Sequence, residues 1–183
     1  MIAKQRPLIF YDWEFQEDGI TIDPISLGMV SSDGRELYLI NKSFDWNKAT
    51  DWLRQNVKPN LYLVEPQFSS TLEVTKQELH NCILSFLTAQ FEATSEKPKL
   101  IGWFSAYDFV CTAQRFGALV DKPNLLPWWN CDLKQWADDL GNPRLPEKPA
   151  QHNALLDARW VKDSYKWLSE NYNHPAWTVQ STD

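Results

Sequence analysis

Asp12 and Glu14 stand two residues apart in Leu8-Ile-Phe-Tyr-Asp-Trp-Glu-Phe15, a run of aromatic and branched residues that reads as a strand. Residues i and i+2 of a strand leave the same face, about 7 Å apart. Two like charges placed so on an apolar strand are costly without a partner. Magnesium or manganese, which take hard oxygen ligands, would remove that cost. A solvated edge or a Lys or Arg partner would also serve, and the pair alone leaves these readings open. Asp108 follows the apolar run Leu100-Ile-Gly-Trp-Phe104, but Ser105-Ala-Tyr-Asp108 also fits a capping box. Asp157 is flanked by Leu155 and Leu156, on a helix seam where an unpartnered charge is awkward. His152 sits five residues earlier at a loop–helix junction, where a histidine more often caps or hydrogen-bonds than catalyses. Asp132 opens another helix and reads as an N-cap.

The elements that must position these groups follow from periodicity and turn chemistry. Strands are predicted at 8–15, 25–30 and 36–40, the last two joined by Asp33-Gly34, a hairpin signal. A helix is predicted over 45–57, and 58–70 is irregular. Thr75-Lys-Gln-Glu78 is a capping box opening a helix with Leu79, Ile83, Phe86 and Leu87 on one face. A strand at 100–104 and a helix over 105–116 come next. Then come a strand at 125–131 weakened by Pro127, a helix over 132–140, a proline-rich loop over 142–150 and a last helix from Asn153 to about Tyr172. A three-strand meander followed by strand–helix alternation indicates a mixed α/β sheet with helices on both sides.

The 183 residues suit one domain, 1–183, with 173–183 expected as a loose tail. Apolar residues at 43% and charged residues at 23% exclude disorder as the main state. A net charge of −6 argues against a protein that holds long nucleic acid by basic faces, but not against a nuclease whose metal ions supply positive charge. Cys82, Cys111 and Cys131 are widely spaced with no CxxC, so no zinc or disulfide framework is visible and a reducing cytoplasm is expected. The apolar run at 8–11 is too short for a signal peptide, and no stretch suits a membrane helix. Ten tryptophans supply flat rings for a core or a ligand.

Asp-x-Glu on the first strand, Asp after a later strand and His-x4-Asp opening the last helix together resemble the DEDDh 3′-5′ exonucleases of the RNase H-like superfamily. Tyr11-Asp-Trp-Glu-Phe15, Glu17-Asp-Gly19, Ile25-Ser26, Gly28, Asp33-Gly-Arg-Glu36, Ala106-Tyr-Asp108, Gln135-Trp136, Asn142-Pro-Arg144 and His152-Asn-Ala-Leu-Leu-Asp-Ala-Arg159 are similar to the small bacterial RNase AS-type exoribonucleases over roughly residues 8–168. The resemblance implies an RNase H-like five-stranded sheet of order 3-2-1-4-5, with strand 2 antiparallel. It implies two Mg2+ ions, which Mn2+ can replace, held by Asp12, Glu14 and Asp157, with Asp108 acting directly or through water. It makes His152 the general base and suggests a homodimer. Trp13, between the acids, is bulkier than the Thr or Ile common in that family, but its side chain should point to the other face.

Such a site suits phosphodiester hydrolysis, in which two metals activate a water and steady the leaving oxygen, and imidazole titrates near neutrality, as a base requires. Single-stranded ends are held by stacking. Of the aromatic residues near the acids, Trp13, Phe15, Trp103, Phe104 and Tyr107, each is more readily core; Phe15 and Tyr107 are the first choices for substrate contact, with Trp13 a further candidate. Arg159 is a phosphate contact or an ion pair. The expected function is hydrolysis of single-stranded RNA 3′ ends, in adenylate-rich tails by the same resemblance, to nucleoside 5′-monophosphates. A 3′-5′ DNA exonuclease on the same site, or a non-catalytic nucleic-acid-binding module, are the alternatives.

Overall fold

In the computed structural model, which describes residues 6–64, 66, 71–148 and 152–173, six strands form one sheet. In chain order these are β1 (Leu8–Glu17), β2 (Ile22–Ser31), β3 (Glu36–Asn41), β4 (Thr71–Val74), β5 (Lys99–Gly102) and β6 (Cys131–Asp132). Their order across the sheet is β4-β3-β2-β1-β5-β6. β2 pairs antiparallel with β1 and β3, and the remaining pairs are parallel. The five expected strands thus keep the expected order, and β4 is a correction to their number. It adds to the outer side of β3 from residues 71–74, which fall between the irregular stretch 58–70 and the capping box at Thr75 and carry a half-exposed, Glu-containing sequence with little alternation. The tail from 174 onward, part of 58–70 and Pro149 to Gln151 lie outside the described residues.

Alternation along β1 decides which face does what. Ile9, Tyr11 and Trp13 enter an apolar core with Leu27, Met29, Leu37 and Leu39, covered by α2 (Leu79–Thr94) and α3 (Ala106–Gln114). The opposite face is covered by α1 (Asp51–Asn56), α4 (Leu133–Asp139) and α5 (Ala154–Asn171). Pro24 lies within β2, where it cannot donate a ladder bond; the register shifts opposite it, between Glu14 and Phe15.

Several helix ends differ from expectation for local reasons. α1 starts at Asp51, not near 45, because Thr50 caps it through Leu53 N–H at 3.3 Å, while Asp45 turns the chain by accepting from Asn47 N–H. At Thr75 the Glu78 carboxylate accepts from both the backbone N–H and the hydroxyl, and the helix begins at Leu79. The strand expected over 125–131 shrinks to two residues, since Leu126 N–H turns back to the Pro123 carbonyl. Asp132 does cap α4, accepting from Lys134 N–H at 2.9 Å.

Candidate active site

The even positions of β1 reach the face where α5 begins. Asn153 caps α5 by accepting from Leu156 N–H, and its own amide donates to the Asn60 carbonyl at 2.7 Å and the Tyr38 hydroxyl at 3.2 Å. These bonds fix the first turn of α5 against the sheet. Gly28, paired with Asp12, makes the approach possible: a Cβ there would lie 2.2 Å from the Ala154 carbonyl oxygen and 2.5 Å from the Leu155 Cα. No side chain other than hydrogen lets this backbone lie on that strand.

The close approach brings Asp157 over the first strand. Asp12, Glu14 and Asp157 each offer an oxygen within 4.8 Å of the others. Lys148 stands in the same cleft with its ammonium 3.0 Å from Asp157 Oδ1 and 5.3 Å from the Trp160 ring centroid. Nothing in the sequence patterns singled out Lys148. Its only advance signal is a cation four residues before His152 in a proline-rich loop.

Burial and mutual repulsion leave their mark on the acids. Burial, then the Asp108, Asp157 and Glu14 charges, hold Asp12 well above the ordinary carboxylate range. Burial, with Asp157 next, pushes Glu14 up to about 8. Asp157 is also raised by burial, with Lys148 pulling the other way. These are the electrostatics of carboxylates gathered with too little positive charge.

Asp108 is buried behind this trio, raised by burial to about 7, with its Oδ1 accepting from the Trp13 N–H at 2.7 Å. The capping box expected at Ser105–Asp108 does not form. Ser105 caps nothing with its side chain, and the Asp108 carboxylate reaches across to β1. His152 lines the cleft with a left-handed backbone, φ +63°. Its N–H donates to Asp157 Oδ2 at 3.2 Å, and its ring meets the edge of Trp52 on α1 at 4.7 Å. The helix-capping role falls to Asn153, leaving the imidazole free of it.

The remaining lining of the cleft, about 240 Å³, includes Trp103, Phe104 and Trp160. The aromatic residues expected at the substrate lie differently. Phe15 and Tyr107 stack on one another, centroids 6.0 Å apart at 14°, and neither lines this cleft. The Trp13 indole points into the core and donates to Thr112 Oγ1 at 2.8 Å, as its strand position required. Arg159 forms a two-pronged ion pair with Glu36 at 2.7 and 2.8 Å.

No family model matches the chain. Two proteins named 3′-5′ exoribonuclease, from two strains of Mycobacterium tuberculosis, are each 38% identical to it over 151 residues, which span 82% of this chain and 86% of theirs. A likeness of that strength over most of both chains means that the chain belongs to the family of these 3′-5′ exoribonucleases.

Proposed function

We propose that the protein is a metal-dependent 3′-5′ exoribonuclease of DEDDh type, hydrolysing single-stranded RNA 3′ ends to nucleoside 5′-monophosphates. The observation that carries the reading is the convergence of Asp12, Glu14 and Asp157 in one cleft, oxygens within 4.8 Å, with Lys148 against one of them. The donor set fits a hard divalent cation: all oxygen, with Glu14 and Asp157 buried and Asp12 half-buried, and mutually repulsive. Asp12, Glu14 and Asp157 would hold Mg2+ or Mn2+, with Asp108 supporting through the Trp13 backbone. Two such ions, when bound, would supply the positive charge that lowers the pKa of a water and stabilises the leaving 3′ oxygen.

The chain's own groups do the rest. His152, at the cleft wall, takes the proton of the attacking water. Lys148 limits the negative charge that the phosphate meets on entry. Trp103, Phe104 and Trp160 form an apolar wall that excludes bulk water from one side. The acids explain how a chain of net charge −6 handles a polyanion: its local positive charge is borrowed.

Digestion of 5′-labelled RNA and DNA oligonucleotides of one sequence, with magnesium and with chelator, tests the reading. Stepwise shortening of the RNA from its 3′ end, abolished by chelator, is the expected result. Faster digestion of the DNA would move the assignment to a DNA exonuclease. Cleavage of a circular single-stranded RNA at the linear rate would overturn the exonuclease reading.

A further inference from the structure

Phe104 is a bulky residue in a conformation that bulky residues avoid. Its φ is +54°, in the left-handed region, and the residue is 66% exposed. The strain is held by Asp132, whose Oδ1 accepts from the Phe104 N–H at 3.2 Å and whose Oδ2 accepts from the Ser105 N–H at 3.1 Å. The same carboxylate caps α4, so the turn is tied to a helix end as well as to the sheet. Glycine would adopt this turn without steric cost. A strained backbone that displays an apolar ring to solvent, when a smaller residue would relieve both penalties, points to a use for the ring.

The ring stands on the wall of the cleft that holds Asp12, Glu14 and Asp157. Trp103 meets it edge-on at 5.8 Å and 77°, and Trp103 is itself held edge-on by Trp160 at 4.9 Å. Lys134 Nζ lies 5.6 Å from the ring centroid, with its charge paired to Asp138 on its own helix. An exposed aromatic ring next to a phosphodiester-cleaving centre has the chemistry of a nucleobase support.

We propose that Phe104 is the stacking platform for the base at the RNA 3′ end, and that Asp132 is its positioning residue. This rests on the exoribonuclease reading above. The test reads binding separately from cleavage. The probe is an RNA oligonucleotide with 2-aminopurine as its 3′-terminal base and the last bridging 3′ oxygen replaced by a methylene, which blocks hydrolysis. Wild type with Mn2+ should change the 2-aminopurine fluorescence, and, by the anisotropy of a 5′ fluorescein carried on both probes, the one with an abasic 3′ end should bind about tenfold or more weakly. Phe104→Gly should bind the 2-aminopurine probe about tenfold to a hundredfold more weakly, bind the abasic probe as wild type does, and melt no lower than wild type. Phe104→Trp should restore affinity. A Phe104→Gly protein that keeps wild-type affinity for the 2-aminopurine probe overturns the platform. So does one that loses affinity for both probes alike, or one that melts well below wild type. If wild type binds the probe in this manner yet never shortens a natural RNA, the exonuclease reading falls and the platform stands.

Discussion

Asp33 and Glu36, at the turn into β3, face arginines, whereas Asp12, Glu14 and Asp157 face one another. Burial works against ionisation in both places, but the outcomes differ. Against that burial, hydrogen bonds from Arg35 and Ser31 bring Asp33 down to about 2. In the cleft burial prevails, and Glu14 rises to about 8 with only Lys148 opposing. A carboxylate used for architecture comes with its counter-charge built into the chain. One kept for a ligand leaves the counter-charge to be supplied from outside, and the fold tolerates the deficit.

Asp12→Asn should separate the two regions most sharply. Hydrolysis of labelled RNA should fall by orders of magnitude, because one oxygen ligand loses its charge. Melting temperature in chelator at pH 8 should rise by a few degrees, since a repulsive partner of Glu14 and Asp157 is gone. A fall in melting temperature instead would place Asp12 with the architectural acids.

His152→Ala should lower turnover about 10²–10⁴-fold, the usual worth of a positioned base. Mn2+ binding, followed by calorimetry, should persist, because the three acids remain. Near-wild-type turnover would assign the proton transfer to another group.

Glu36→Gln tests the paired region. It leaves Arg159 half-satisfied in a largely buried site and should cost about 3 kcal/mol, read as a drop of about 6–12 °C in melting temperature. Metal binding should not change by more than a few-fold, since Arg159 does not line the cleft.

The gentlest comparison is the pH dependence of stability without metal. Glu14 at about 8 and Asp108 at about 7 keep protons in the folded chain that the unfolded chain releases near pH 4–5. Their effect is to make the metal-free protein most stable below that range and to weaken it as pH rises from about 5 to 8. Asp33 has the opposite slope: its contribution is present above about pH 4 and is lost as pH falls toward 2. A melting series in chelator should therefore peak in mildly acidic buffer, and saturating Mn2+ should remove the alkaline decline.

Legibility of the site followed the range of the interactions involved. Asp12 and Glu14 share a face because a strand has period two, and nothing distant is needed to know it. The same period sent Trp13 into the core. The helix over 154–171 announced itself through Trp160, Val161 and Leu168 at helical spacing, although Leu155 and not Leu156 is the leucine that its first turn buries. Asp108 was harder. Its local context fitted a cap, and only contact with a residue 95 positions away drew its carboxylate to the Trp13 N–H. Phe15 and Tyr107 looked close to the acids because sequence distance is a poor guide to which side of a sheet a ring occupies.

By itself the sequence determined the alternation of strands and helices, the same-face pairing of Asp12 with Glu14, and the order in which the acids occur, since these depend on neighbours within a few residues. Tertiary structure alone decided that Asp157 meets the pair, that Lys148 joins them, that Arg159 is taken by Glu36, and that Phe104 and not Phe15 borders the cleft. The reason lies in Gly28. With no side chain to hold the two backbones apart, the first turn of α5 settles against β2, and that single close approach sets which distant side chains share the cleft.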